Sequence, residues 1–108
     1  MFLNGGKLNN HQVFSAKTIE MMGTNQLESG ASVGLGWELN QSHYMGKYAK
    51  GTFGKTGFTG CAMMVNLELG SALVILSNHV HPKRPESFGP INGFRSSVAD
   101  LVFGSVTS

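Results

Sequence analysis

The stretch Gly51-Thr52-Phe53-Gly54-Lys55-Thr56-Gly57-Phe58-Thr59-Gly60 places a glycine at every third position of ten residues around one Lys-Thr-Gly. Each glycine gives up more backbone freedom on folding than any other residue, so ordering several of them favours a use in which something approaches the main chain closely. A ligand is one such use. Lys55 brings a positive charge with three donors, Thr56 a hydroxyl, and the bare backbone at Gly57 its N–H groups. That surface suits a carboxylate, a phosphate or a polarised carbonyl. A glycine-rich turn beside a solvated lysine accounts for the same residues without any ligand.

The setting of this stretch is that of a globular domain. With 108 residues, 41% hydrophobic and 13% charged, the chain can bury one core, near the size at which such a core is only modestly self-sufficient. Its formal charge of +2 comes from Lys and Arg dispersed along the chain, with Lys83-Arg84 the one adjacent basic pair, so no nucleic-acid partner is expected. The longest apolar run, Ser71 to Ser77, is too short to span a bilayer, and the first residues lack the regions of a secretory signal. Cys61 stands alone, which excludes an internal disulfide and a cysteine-built zinc site and leaves the compartment unknown.

Local patterns divide the chain into elements. Met1-Phe2-Leu3 before Asn4-Gly5-Gly6 reads as the last turn of a helix with its glycine stop. Ser15 is an N-cap for a helix over Ala16 to Met22, ended by Gly23. Val33, Leu35, Trp37 and Leu39 alternate as in a strand with one buried face, and Trp37 reads as a packing residue. Gln41 to Lys50 reads as a polar and aromatic loop with room for a short strand. Phe53 to Thr59 reads as a strand that tolerates glycine, followed by an antiparallel hairpin of Ala62 to Leu67 and Ser71 to Ser77 joined at Glu68-Leu69-Gly70. Prolines 82 and 85 interrupt regular structure before a last helix, on which Ile91, Phe94, Val98, Leu101 and Val102 form an apolar stripe closed by Gly104. The fold class is α+β: an antiparallel sheet of three to four strands with a packed C-terminal helix.

Other constellations carry little chemistry. Ala49 to Thr56 fits a loose nucleotide-loop pattern, but no apolar strand precedes it and Gly57-Phe58-Thr59-Gly60 is a poor first helical turn. His79 and His81 share a face of an extended segment, which is compatible with a metal, yet His11 and His43 stand at no recognisable spacing to them. Solvated or hydrogen-bonded histidines are the competing reading, and no metal or other cofactor is expected. Neither Ser-x-x-Lys nor Gly-x-Ser-x-Gly occurs. Cys61 reads as a small core residue.

Lys55-Thr56-Gly57 followed by Phe58-Thr59-Gly60, an apolar hairpin and Asn78-His79-Val80-His81-Pro82 resembles the C-terminal part of the serine β-lactamase and penicillin-binding protein superfamily, in its branch of class C-like β-lactamases, esterases and D-aminopeptidase-type hydrolases. Met1 to Leu8, Ser15-Ala16-Lys17-Thr18 and Gly34-Leu35-Gly36-Trp37 extend the resemblance over nearly the whole chain. It implies that the Lys-Thr-Gly lies on an edge strand lining a cleft. There Lys55 takes part in a proton and carboxylate network, Thr56 binds a substrate carboxylate, Gly57 lets the substrate lie against the strand, and Thr59 belongs to the same substrate surface. The backbone N–H of Phe58 would be one of two oxyanion donors. β-Lactam, ester or peptide-like substrates are implied, and the family's usual home is the cell envelope or beyond.

The family's nucleophilic Ser-x-x-Lys and its tyrosine-bearing second motif are expected upstream of Met1, since Tyr44 and Tyr48 are not in a Tyr-x-Asn arrangement. Residues 1–108 are therefore expected to be the C-terminal portion of a β-lactamase-like domain, inactive in acyl transfer by themselves. Association with the missing N-terminal part, or with a second copy, is expected through an open sheet edge. A non-catalytic self-associating module of the same fold, and an anion-binding module using Lys55 and the glycine-rich backbone, are the alternatives.

Overall fold

In the computed structural model, which describes residues 1–107, strands between Glu38 and Ile75 build a four-stranded antiparallel sheet. The hairpin is formed by strands at Ala62–Asn66 and Ser71–Ile75, in a register that sets Met64 opposite Leu73. The Lys-Thr-Gly strand, Thr52–Thr56, pairs with Ala62–Asn66 on its other side, and Glu38–Leu39 pairs with the Thr52–Thr56 strand at Gly54 and Phe53. Two further short strands, Lys7–Leu8 and His11–Gln12, make a separate two-stranded ribbon near the N-terminus that local patterning does not announce. In chain order the strands are β1 (Lys7–Leu8), β2 (His11–Gln12), β3 (Glu38–Leu39), β4 (Thr52–Thr56), β5 (Ala62–Asn66) and β6 (Ser71–Ile75), and the larger sheet runs β3-β4-β5-β6.

Strand alternation gives the sheet two faces, one covered by helix and the other covered only in part, since Val74 on it stays exposed. On one face Ala62, Met64 and Ile75 meet Ala99 and Phe103 of the long helix α3 (Gly89–Gly104), with Tyr44 and Met45 of a short helix α2 (Ser42–Met45) completing a buried cluster. On the other face Leu39, Phe53 and Val65 pack with Phe2, Met22 and Trp37 beside α1 (Ala16–Met22). Trp37 packs as expected, its ring edge-to-face with Phe2 and Phe53 at centroid distances of 5.4 and 5.5 Å. The Ser15 cap also holds: its hydroxyl accepts the Thr18 N–H at 3.1 Å. The result is the α+β arrangement of an antiparallel sheet with its C-terminal helix packed against it.

Several expectations give way to tertiary packing. The alternating run 33–39 is not one strand: a turn closed by the Gly34 N–H to the Trp37 carbonyl at 2.7 Å folds it on itself, Val33 bridges Glu38, and Leu35 is exposed. Within 41–50, Ser42–Met45 and Gly46–Tyr48 are helical rather than loop or strand, with the Tyr44 and Met45 side chains buried under α3. The strand expected over Phe53 to Thr59 ends at Thr56, where the chain turns back to bring Ala62 into register with it. The first residues form a single 3₁₀ turn, Phe2–Asn4, with Gly5 as its stop. On α3 the buried line is Ile91, Arg95, Ala99 and Phe103, flanked by Val98 and Val102, whereas Phe94 and Leu101 face solvent. Leu101, two residues from Ala99, is turned about 200° from it around the helix axis and so points away from the sheet. Gly104 is the last helical residue, and Ser105 caps it.

The glycines of the central stretch divide by cause. At Gly54 a Cβ would meet the Met63 carbonyl oxygen at 2.5 Å and the Met45 methyl at 3.2 Å, so glycine is required there chiefly by the close approach of the neighbouring strand's backbone. Gly60 has φ +105°, a left-handed conformation that L side chains rarely adopt, and a Cβ there would also press on Ser77 and His79.

Candidate functional site

The turn at 34–37 that shortens β3 has a consequence for β4. In an antiparallel pair the residues before Glu38 would run alongside Lys55 and Thr56, but the chain leaves the sheet there. Among the described residues no strand pairs the outer edge of β4 at Lys55 and Thr56. The Lys55 side chain is 59% exposed and its Nζ lies 3.4 Å from Glu38 Oε1. Glu38 Oε2 in turn accepts the Tyr44 hydroxyl at 2.9 Å. Burial, and then the bond to the Glu38 carboxylate, push the Tyr44 phenol far above its ordinary range, so it stays a proton donor and anchors the carboxylate that faces Lys55.

Beyond Thr56 the chain makes the turn Gly57 to Gly60, closed by the Gly60 N–H to the Gly57 carbonyl at 3.0 Å and tied to β5 by the Gly57 N–H to the Cys61 carbonyl at 2.8 Å. Arg95, only 2% exposed, reaches into this turn from α3. Its Nε donates to the Gly60 carbonyl at 3.1 Å, one terminal nitrogen donates to the carbonyls of Gly57 at 3.3 Å and Cys61 at 3.2 Å, and the other to Asn92 Oδ1 at 2.7 Å. The Thr59 carbonyl accepts the His79 N–H at 2.9 Å and the Ser77 hydroxyl at 3.3 Å. His79 Nε2 lies 3.2 Å from the Phe58 carbonyl and donates to it in the tautomer protonated there. Every carbonyl from Gly57 to Cys61 is thus engaged. The Phe58 N–H, by contrast, donates to no group among the described residues.

A cleft of about 260 Å³ opens at this point, with Glu38, Thr56, Gly57, Phe58, Phe88 and Asn92 on its walls. Of the residues singled out from the sequence, Thr56, Gly57 and Phe58 meet here. Lys55 is joined to the cleft through Glu38 and itself lines a shallower hollow of about 300 Å³ with Met63, Val74 and Leu76. Thr59 lies on the other side of the turn, its hydroxyl 3.5 Å from Cys61 Sγ. Larger hollows of about 440 and 600 Å³ lie around Gly23, Thr24 and Gly51 and hold none of these residues.

Cys61 is half-buried rather than a core residue, and its thiol is held below its usual pKa by the Thr59 hydroxyl and then by the Ser77 N–H. His79 is a hydrogen-bonded histidine beside the Phe88 ring. Among the described residues no group of three His, Cys, Asp or Glu side chains could hold a metal ion. The guanidinium of Arg84 stacks over the Phe58 ring at 4.9 Å, fastening the segment after His79 to the turn.

Three residues of the site escape sequence reasoning: Glu38, Tyr44 and Arg95. For Arg95 a signal exists, since it is a lone cation four residues from both Ile91 and Ala99 on the buried line of α3, and a buried cation must be matched by acceptors. For Glu38 and Tyr44 no local pattern points to either.

A sequence profile of the family described as Beta-lactamase matches residues 1–94. Among curated relatives, a protein of Escherichia coli O157:H7 described as "Putative D-alanyl-D-alanine carboxypeptidase" is 39% identical over 84 residues, covering 73% of this chain and 19% of the relative. Its counterpart in Escherichia coli strain K12 is 37% identical over the same shares. One from Salmonella gallinarum is 35% identical over 86 residues, 75% of this chain and 20% of the relative. The chain spans about a fifth of the length of these curated relatives.

Proposed function

The chain belongs to the beta-lactamase family, and on that premise we propose that it contributes the substrate-binding strand and one oxyanion donor to a serine hydrolase acting on carboxylate-bearing, peptide-like substrates. A peptide ending in D-alanine, the substrate type in the names of its relatives, is the leading candidate; a β-lactam or an ester presents the same reacting carbonyl. The observation that carries the reading is the open edge of β4 at Lys55 and Thr56 running straight into a turn whose Phe58 N–H is unpaired. An extended substrate can lie along such an edge as an added strand, with Gly57 presenting no side chain in its way. In this reading the Lys55 ammonium and the Thr56 hydroxyl receive the substrate carboxylate. The Phe58 N–H faces the oxygen of the carbonyl under attack, a contact worth about 100- to 1,000-fold in rate.

No Ser-x-x-Lys occurs in the 108 residues, so the nucleophile, its activating lysine and the second oxyanion donor are assigned to the N-terminal portion of the same domain type. The exposed Val74 and Leu76 at edge strand β6 are the surface on which that portion, or a second copy, would pair. The test combines this chain with the N-terminal portion of the Escherichia coli relative, expressed separately. Association is read by sedimentation, and turnover is followed with a D-alanyl-D-alanine peptide, nitrocefin and p-nitrophenyl acetate. Turnover by the pair, absent from either part and reduced by Lys55→Ala, is expected. A pair that associates and turns over none of the three overturns the reading.

A further inference from the structure

We infer that Arg95 is a positioning residue for the Phe58 N–H, an assignment whose catalytic meaning rests on the proposed function and whose geometry does not. The Gly57 carbonyl and the Phe58 N–H belong to one peptide unit. That unit is planar and trans, so the N–H points opposite to the C=O. Whatever holds the Gly57 oxygen therefore aims the Phe58 hydrogen. Two donors hold it: the Gly60 N–H at 3.0 Å, which is part of the turn itself, and the Arg95 guanidinium at 3.3 Å, which comes from outside it.

The same guanidinium takes the carbonyls of Gly60 and Cys61, the two ends of the segment that closes the turn, at 3.1 and 3.2 Å. One rigid planar group thus fixes three peptide planes relative to α3, which the isolated turn, with a glycine at each end, could not fix for itself. The placement of the fork is in turn set by Asn92 Oδ1, one turn earlier on the helix, at 2.7 Å. Arg95 lines the cleft but is only 2% exposed, and four of its five N–H groups are committed to these acceptors. A lysine at this position keeps the charge but offers a point cation on a flexible stem, which cannot serve three carbonyls in one plane.

The experiment uses the full chain labelled with ¹⁵N, as wild type, Arg95→Lys and Asn92→Ala, with phenylphosphonate as an anionic tetrahedral probe. In the wild type the Phe58 amide is expected in the rigid range, with an order parameter of about 0.85, and its resonance shifts on addition of phenylphosphonate. In Arg95→Lys the amides of Ser97 and Ala99 on α3 keep their order parameters while that of Phe58 falls below about 0.6, and the apparent affinity for the probe drops at least tenfold. Asn92→Ala, which leaves all three carbonyl bonds chemically possible, shows the same change in smaller degree, and it carries the test if Arg95→Lys does not fold. A Phe58 amide as rigid in the folded variants as in the wild type overturns the inference. Loss of Phe58 order in the variants, with no response of the wild type to phenylphosphonate, supports the positioning role and overturns the anion-binding part of the proposed function.

Discussion

Replacing Tyr44 by Phe removes one oxygen and tests the anchor beneath Lys55. The Tyr44 ring is 1% exposed and its hydroxyl donates to Glu38 Oε2 at 2.9 Å, so the variant keeps the packing and loses a charge-assisted hydrogen bond. Such bonds contribute about 1.5–3 kcal/mol, and because the Glu38 side chain is 35% exposed and can recruit water, the lower end applies, about 1.5 kcal/mol at pH 7. The pH dependence is the sharper test. Folding raises the Tyr44 pKa well above the ordinary phenol value of about 10, so the native state keeps a proton that the unfolded chain gives up in alkali. The stabilisation is therefore complete below about pH 10 and declines above it by about 1.4 kcal/mol for each pH unit until the native phenol itself ionises. The wild type should exceed Tyr44→Phe by about 1.5 kcal/mol at pH 7 and by close to nothing at about pH 11. Urea unfolding followed by the fluorescence of Trp37, which sits in the second apolar cluster, measures both chains across that range. A difference that stays constant from pH 7 to pH 11 refutes the argument that burial against Glu38 holds the proton.

Lys55→Ala should change stability by less than about 1 kcal/mol, because its ion pair with Glu38 is largely solvated, while weakening phenylphosphonate binding clearly; urea unfolding and an NMR titration separate the two effects. Phe103→Ala, at a site with 0% exposure between α3 and the sheet, should cost about 3–5 kcal/mol in urea unfolding, a large share of the about 5–15 kcal/mol that holds a domain folded. Thr59→Val should raise the Cys61 pKa and slow its alkylation by iodoacetamide at pH 8, since the Thr59 hydroxyl is the largest influence holding that thiol down; an unchanged rate points to the Ser77 N–H instead.

The elements that the sequence determined alone are those whose cause is local. The Ser15 cap satisfies an N–H three residues away, and the hairpin of β5 and β6 follows from two apolar runs, the second of them β-branched, around Glu68-Leu69-Gly70, so both are legible before any folding. The Lys-Thr-Gly with its surrounding glycines likewise marks the strand on which the proposed site is built, and Trp37 announces itself as a packing residue by size. What only the tertiary structure decided involves partners distant in the chain. The alternation at 33–39 predicts a strand, yet the chain turns there, and that turn is what leaves β4 open at Lys55. Tyr44 lies in a polar stretch with no apolar period, and it becomes buried because α3 covers it. The apolar stripe read from α3 includes Leu101, which is exposed, and omits Arg95, which is buried, because periodicity reports hydrophobicity but not which side of the helix the sheet will press on. Arg95 meets the Gly57 carbonyl across 38 residues of chain, and a contact of that kind exists only when the sheet and the helix have already been brought face to face.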